Sequence, residues 1–287
     1  MSTSSSTPTQ IVTPELRDWI VAQAAAGHSP EVVVEAMKAS GWEEPVARIA
    51  LATTLGEEAT GGLPAAAPAR PMPGRDIGAA RPRISAGDRD VALLMAMTHP
   101  RVIVFGDLLS AEECAELIAL ARTRLSRSET VATRTGESEV NEARTSDGMF
   151  FQPGEFPVCA RLEARLARLL DWPLENGEGL QILRYRPGAE YKPHYDYFDP
   201  AEPGTPAILK RGGQRLASIV CYLNTPEAGG ATVFPEAGIE VAPVQGNAVF
   251  FSYDRPHPST RTLHGGAAVT AGEKWVATKW MREGRFE

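Results

Sequence analysis

Apolar residues recur at helical spacing in the first sixty positions, and after position 172 they switch to the short, closely spaced runs of β-strands. Leu16, Ile20, Val21 and Ala24 form one stripe, Val33, Val34 and Met37 a second, and Val46, Ile49, Ala50 and Leu55 a third. Thr13-Pro14 and Ser29-Pro30 each set a capping hydroxyl before a proline suited to the first helical turn, and Gly41 stands where the second helix should stop. This pattern predicts a three-helix bundle over residues 14–56, closed around Trp19 and Trp42. Residues 57–88, which include LPAAAPARPMPGRDIGAARPR, carry no apolar period, and their proline density predicts an extended linker. The polar stretch 1–13 is expected to be disordered.

Residues 89–287 read as the main domain. Val91 to Met97 and VIVFGDLLS precede a helix announced by Ser110 and Glu113, a capping box ahead of Cys114, Leu117, Ile118 and Leu120. A second helix is expected from Pro157 to Leu170. Beyond Trp172 come LQILRY (180–185), LASIVCYL (216–223), ATVF (231–234), IEVAP (239–243), NAVFFS (247–252) and KWVATKW (274–280), separated by glycines. Helices followed by many short strands predict an α+β chain with a jelly-roll double sheet buttressed by helices.

Composition narrows the classes of function. A formal net charge of −7 argues against a sequence-independent grip on nucleic acid or an anionic membrane. No run approaches the ~18 apolar residues of a spanning helix. The amino terminus lacks the charged and apolar regions of a secretory signal. Cys114, Cys159 and Cys221 are far apart without CxxC spacing, so neither a disulfide framework nor a zinc knuckle is suggested, and a cytoplasmic location is expected.

The chemistry concentrates in His194-Tyr195-Asp196, with His264 and Lys274 further on. Alternate residues of an extended segment project to the same side, so His194 and Asp196 can reach one metal ion while Tyr195 points away. His264, just before the Gly265-Gly266 turn, qualifies as the third ligand, and Lys274 opens the next strand, where it can lie deeper in the same pocket. Two imidazoles and a carboxylate are the facial ligand set of non-haem Fe(II) oxygenases. His257, between Pro256 and Pro258, is the competing third ligand and reads as a loop residue; His28 and His99 lie outside the β region.

From about residue 98 onward the chain resembles the prolyl 4-hydroxylase family of Fe(II)- and 2-oxoglutarate-dependent dioxygenases, a double-stranded β-helix fold. The matching blocks are DLLSAEEC, RTSDG (144–148), EGLQILRYRPGAEYKPHYDYF (178–198), GGQRLASIVCYLN (212–224), GGATVFP (229–235) and LHGGAAVTAGEKWVATKW (263–280). The resemblance implies Fe(II) held by His194, Asp196 and His264, and Lys274 paired with the distal carboxylate of 2-oxoglutarate. It implies cosubstrate contacts at Tyr185 and Thr232, with Tyr222 and the Trp280 ring beside them. It further implies peptide-substrate contacts at Glu178, Tyr191 and Arg215, and Arg144 with Ser146 in a loop that closes over the substrate. The segment DPAEPGTPAILKR after Phe198 reads as an irregular loop placed to act as a lid.

The implied activity is hydroxylation of proline in a peptide or protein, with O2 as cosubstrate, succinate and CO2 as products, and ascorbate as an auxiliary reductant. The same iron chemistry on another residue or a free small molecule is an alternative. A non-catalytic peptide-binding module is the rival of a different class, and complete retention of the metal and cosubstrate residues argues against it. The amino-terminal unit, with SGW before its last helix, resembles a ubiquitin-associated-like three-helix bundle; a folding appendage or dimerisation element is one reading of it, and a site for a protein partner is the other.

Overall fold

The computed structural model describes residues 13–25, 28–55, 72, 82–131, 138–140 and 145–286. The chain divides into two units, Met1–Ala66 and Ala67–Glu287. The expectation of disorder over 1–13 falls almost wholly outside the described residues, as does most of the linker reading.

The first unit holds three helices, Pro14–Ala25, Pro30–Ala39 and Glu44–Leu55. Thr13 caps the first, its hydroxyl accepting from the Leu16 N–H at 3.3 Å, whereas Ser29 stands at the cap position of the second without a side-chain cap bond. Ile20, Val33, Val34, Met37, Ala47, Ala50 and Leu51 form the core, with Leu16, Trp42 and Leu55 packed against it. Trp19, Val21 and Ile49, expected inside, are exposed. The helical turn explains the first two: Leu16 and Ile20, four apart, set the inner face, and Trp19 and Val21 stand one position to either side of Ile20. In the third helix Ala47, Ala50 and Leu51 take the inner positions, leaving Ile49 outside.

In the second unit a nine-stranded antiparallel sheet runs in the order Arg83–Ser85, Asp90–Thr98, Arg101–Gly106, Ala248–Ser252, Arg215–Tyr222, Lys274–Arg282, Leu180–Tyr185, Asp147–Phe151 and Ser126–Arg127. A smaller sheet runs Ile239–Val241, Thr232–Phe234, His264–Gly266, Tyr191–His194. From Leu180 onward the chain passes back and forth between these sheets, the winding of a double-stranded β-helix. The sheet begins at Arg83, inside the stretch expected to be linker, because Ile84 and Ala86 are buried in the core and Arg83–Ser85 pairs with the next strand.

Strand alternation sorts the core into two layers. Along Lys274–Arg282, Trp275, Ala277 and Met281 join the cluster that packs the helices Ala111–Arg122 and Pro157–Leu170 against the large sheet. Val276 joins the cluster on the other face, with Tyr185, Tyr222, Phe251 and, from the smaller sheet, Phe234. The Ser110–Glu113 capping box forms as the sequence predicts. After Phe198 the expected irregular loop contains a short helix, Thr205–Leu209, seated by the Thr205 hydroxyl donating to the Asp199 carbonyl at 2.6 Å. Gln214 pins the base of this segment by bonding both backbone groups of Phe198 at 2.8 Å. Among the described residues no helix is long and apolar enough to cross a membrane.

Candidate active site

His194 closes the strand Tyr191–His194, and His264 opens the strand beside it, directly opposite in register. Asp196 follows two residues after His194, just beyond the strand end. The Tyr195 hydroxyl donates to Glu236 at 3.2 Å and its ring stacks on Tyr197, so it is engaged elsewhere. Nε2 of His194 lies 3.4 Å from Oδ1 of Asp196, and Nε2 of His264 lies 3.5 Å from Oδ2. One ligand atom from each residue falls within 4.8 Å of the others, and no other such group of three His, Cys, Asp or Glu side chains occurs among the described residues.

The hydrogen bonds around the imidazoles fix which nitrogen faces inward. Nδ1 of His194 sits 3.0 Å from the Lys192 carbonyl, and Nδ1 of His264 sits 3.0 Å from the Thr262 carbonyl. A carbonyl only accepts, so each Nδ1 carries the hydrogen and each Nε2 lone pair is left for a metal. Burial drives the His264 pKa down to about 4, with His194 adding to the effect against the pull of Asp196. For Asp196, burial pushes the carboxyl up, but the adjacent imidazoles and Arg215 outweigh it and hold the group well below the usual carboxylate range. Two inward-facing imidazole nitrogens and an ionised carboxylate, all buried or half-buried, suit a divalent ion such as Fe(II).

Lys274 supplies the second half of the site. It is 3% exposed, and among the described residues the Tyr185 and Tyr222 rings lie 5.2 and 5.9 Å from Nζ. No carboxylate pairs with it among the described residues, and burial alone pushes its pKa down to about 8. Nζ approaches the strand that carries His264, 3.8 Å from where a Cβ on Gly266 would stand. A desolvated ammonium without a counter-charge is costly, and an anionic ligand between it and the metal ligands offsets that cost. Tyr185 lies opposite Lys274 in register, and the Tyr222 hydroxyl donates to Thr232 at 2.8 Å, so the expected cosubstrate residues converge here.

Around this pocket the expected substrate residues are arranged unequally. Tyr191 stacks on the His194 ring at 3.7 Å between centroids. Trp280 shares the inner face with Lys274, and the Arg215 guanidinium lies over its ring at 4.1 Å. Arg215 grips Glu178 through two bonds of 2.6 and 2.9 Å, and Arg282 adds a third at 2.6 Å, so Glu178 is committed to its own arginines. Burial raises the Glu178 carboxyl, and those two arginines bring it below its ordinary value. Ser146 is fully buried with its hydroxyl donated to Ser128 at 3.0 Å. The neighbouring Thr145 bonds both backbone groups of Glu190, tying this loop to the strand of Tyr191 and His194. Arg144 lies outside the described residues.

His257 is buried and not in the metal cluster; its Nδ1 accepts from the Ser259 N–H at 3.1 Å and caps a short turn. Sequence reasoning missed Ser218, Tyr253 and Arg282, all of which border the triad or its charged rim. Their one signal is a polar residue on an otherwise apolar strand, as Ser218 is in LASIVCYL.

Comparison with known proteins agrees with this geometry. Residues 180–282 match the model of the 2OG-Fe(II) oxygenase superfamily. Prolyl 4-hydroxylase 1 of Arabidopsis thaliana is 42% identical over 223 residues, covering 69% of this chain and 77% of that protein. Probable prolyl 4-hydroxylase 3 of the same plant is 39% identical over 210 residues, covering 66% and 71%. Among solved structures, the 2OG complex of the viral collagen prolyl hydroxylase vCPH from Paramecium Bursaria Chlorella virus-1 matches at 30% identity and a TM-score of 0.49, covering 63% of this chain and 95% of that one. The chain therefore belongs to the prolyl 4-hydroxylase family of 2OG-Fe(II) oxygenases.

Proposed function

We propose that this protein hydroxylates proline within a peptide or protein, consuming 2-oxoglutarate and O2 at an Fe(II) centre and releasing succinate and CO2. The observation that carries the reading is Lys274, a buried ammonium without a carboxylate partner among the described residues, beside a His-Asp-His cluster. A zinc hydrolase needs an activated water and a general base; a cation aimed past the metal instead suits a cosubstrate with a second carboxylate. The names of its relatives in Arabidopsis thaliana support proline as the residue modified.

When bound, iron with 2-oxoglutarate supplies the oxidising power for an unactivated C–H bond. The protein's own part is placement. His194, Asp196 and His264 would hold the ion on one face, and Lys274 would anchor the far carboxylate of 2-oxoglutarate in a dry pocket bounded by Tyr185, Tyr222 and Thr232. Arg215, clamped by Glu178 and stacked on Trp280, forms a preset rim against which a peptide would lie, with Tyr191 on the other side of His194.

The test incubates the full chain with Fe(II), 2-oxoglutarate and a panel of proline-containing peptides, and follows succinate and the addition of one oxygen atom by mass spectrometry. Peptide-stimulated succinate with oxygen on proline is expected, and Asp196→Ala or His264→Ala should remove both. Turnover that survives loss of either ligand would refute the metal assignment; succinate formation with every proline left unmodified would refute the substrate.

A further inference from the structure

Asp196 is restrained by more than its imidazole neighbours. Ser218 lies in the middle of the strand Arg215–Tyr222, opposite Phe251 on one side and Trp280 on the other, and is fully buried. A hydroxyl in such a sheet interior is destabilising unless its hydrogen bonds are made. Here both are made: Ser218 Oγ lies 2.6 Å from Asp196 Oδ2 and 3.0 Å from the Tyr253 hydroxyl. Tyr253 is itself buried and fixed where the chain leaves its strand, its N–H donating to the Leu216 carbonyl at 2.9 Å.

Donor counting sets the direction of this chain. An ionised carboxylate only accepts, so the single hydroxyl hydrogen of Ser218 goes to Asp196. The Tyr253 O–H must then donate into the Ser218 oxygen. A carboxylate left alone turns easily, because its terminal torsion is broad and two-fold. With Oδ2 held from the sheet, the plane is set, Oδ1 stays beside His194 Nε2 and Oδ2 stays beside His264 Nε2.

We propose that Ser218, held in turn by Tyr253, is a positioning residue for Asp196: through Oδ2 it fixes the plane in which the carboxylate faces the two imidazole nitrogens and the metal they would share. The inference rests on the metal reading of the triad, and it adds to the site two residues that touch neither metal nor cosubstrate. A strand residue whose only task was packing would leave metal affinity alone when its hydroxyl was removed.

Co(II) is the probe, titrated into the metal-free full chain and followed by its visible absorption with a competing chelator, so that no turnover is needed. Ser218→Ala is expected to weaken Co(II) binding by about 10–100-fold and to change the absorption band, the range seen when a partner of a metal ligand is removed. Ser218→Thr, which restores the hydroxyl, should recover most of the affinity, and Tyr253→Phe should show a smaller loss in the same direction. Equal affinity in wild type and Ser218→Ala overturns the proposal, and so does a Ser218→Thr protein that binds no better than the alanine variant. Should Ser218→Ala fail to fold by circular dichroism, Tyr253→Phe decides: weakened binding upholds the proposal and unchanged binding overturns it. Wild type that binds no Co(II) refutes the metal reading instead.

Discussion

Lys274 and Lys279 lie five residues apart on one strand, are 3% and 4% exposed, and have opposite surroundings. An odd separation sends them to opposite faces of the sheet. Lys279 faces the helix layer, where Nζ donates to Glu163 Oε1 and to the Glu178 carbonyl, both at 2.6 Å. Lys274 faces the pocket, meets two aromatic rings and, among the described residues, no carboxylate, and its pKa falls to about 8. Burial therefore does not separate a structural lysine from one that awaits a ligand. The side chains that meet the ammonium do: among the described residues Lys279 is paired with Glu163, whereas Lys274 has no carboxylate and, on the proposed reading, is left for an anionic ligand.

Replacing each lysine by an isosteric apolar side chain puts that distinction at risk. Lys274→Met should raise the KM for 2-oxoglutarate by about 10³-fold, near 4 kcal/mol, the upper range for truncating one member of a desolvated charge pair. Its metal-free form should melt no lower than wild type, because no ion pair is lost. Lys279→Met should do the reverse, destabilising the protein by about 3 kcal/mol in urea unfolding by leaving Glu163 with an uncompensated charge. Its KM for 2-oxoglutarate should stay near wild type. If the two variants shift KM alike, the lysines do not differ in the way argued.

Much of the site was legible in the chain, for reasons that also explain what was not. His194, Asp196, His264 and Lys274 are polar residues set in strand-like sequence; two-residue periodicity places the first two on one side, and the Gly265-Gly266 turn and the strand after it mark the other two. The capping box at Ser110 and the strand Leu180–Tyr185 were local signals that tertiary packing had no cause to override. Trp19, Val21 and Ile49 misled because hydrophobicity does not say which side of a short helix faces in when alanines can do so. Arg83–Ser85 was hidden by the proline-rich sequence before it, since three residues give no period to read. The mutual engagement of Glu178, Arg215 and Arg282 spans more than a hundred residues of chain, a distance at which charge pairing leaves no local trace.

The pH dependence of cosubstrate binding is a smaller test of the same contrast. Burial lowers the folded pKa of Lys274 from its ordinary 10.5 to about 8, so between those values the unfolded chain holds a proton that the folded one does not. From this group alone, stability of the ligand-free protein should rise with pH across that window and be unaffected by it below. If Lys274 anchors 2-oxoglutarate as proposed, binding needs the charged form, so above pH ~8 its affinity should fall by up to about tenfold, near 1.4 kcal/mol, per unit. Lys274→Arg, always charged, should flatten that profile in a calorimetric titration, and a wild-type profile flat from pH 7 to ~9.5 would count against a depressed lysine.

The smallest effect belongs to the hydrogen bond that borders the lysine. Tyr222 is fully buried, and Thr232 accepts its hydroxyl hydrogen at 2.8 Å. Thr232→Val keeps the shape but strands that hydrogen, at a cost of about 1 kcal/mol or roughly fivefold, and Tyr222→Phe removes the donor instead. If the pair only packs the barrel, both variants should lower stability and leave the KM for 2-oxoglutarate where it was. If it sets the orientation of groups that meet the cosubstrate, each should raise KM, and the double variant should raise it by less than the sum of the two, because a bond can be broken only once. Strict additivity in KM would place Thr232 and Tyr222 in separate roles and leave Lys274 as the sole anchor argued from this face of the sheet.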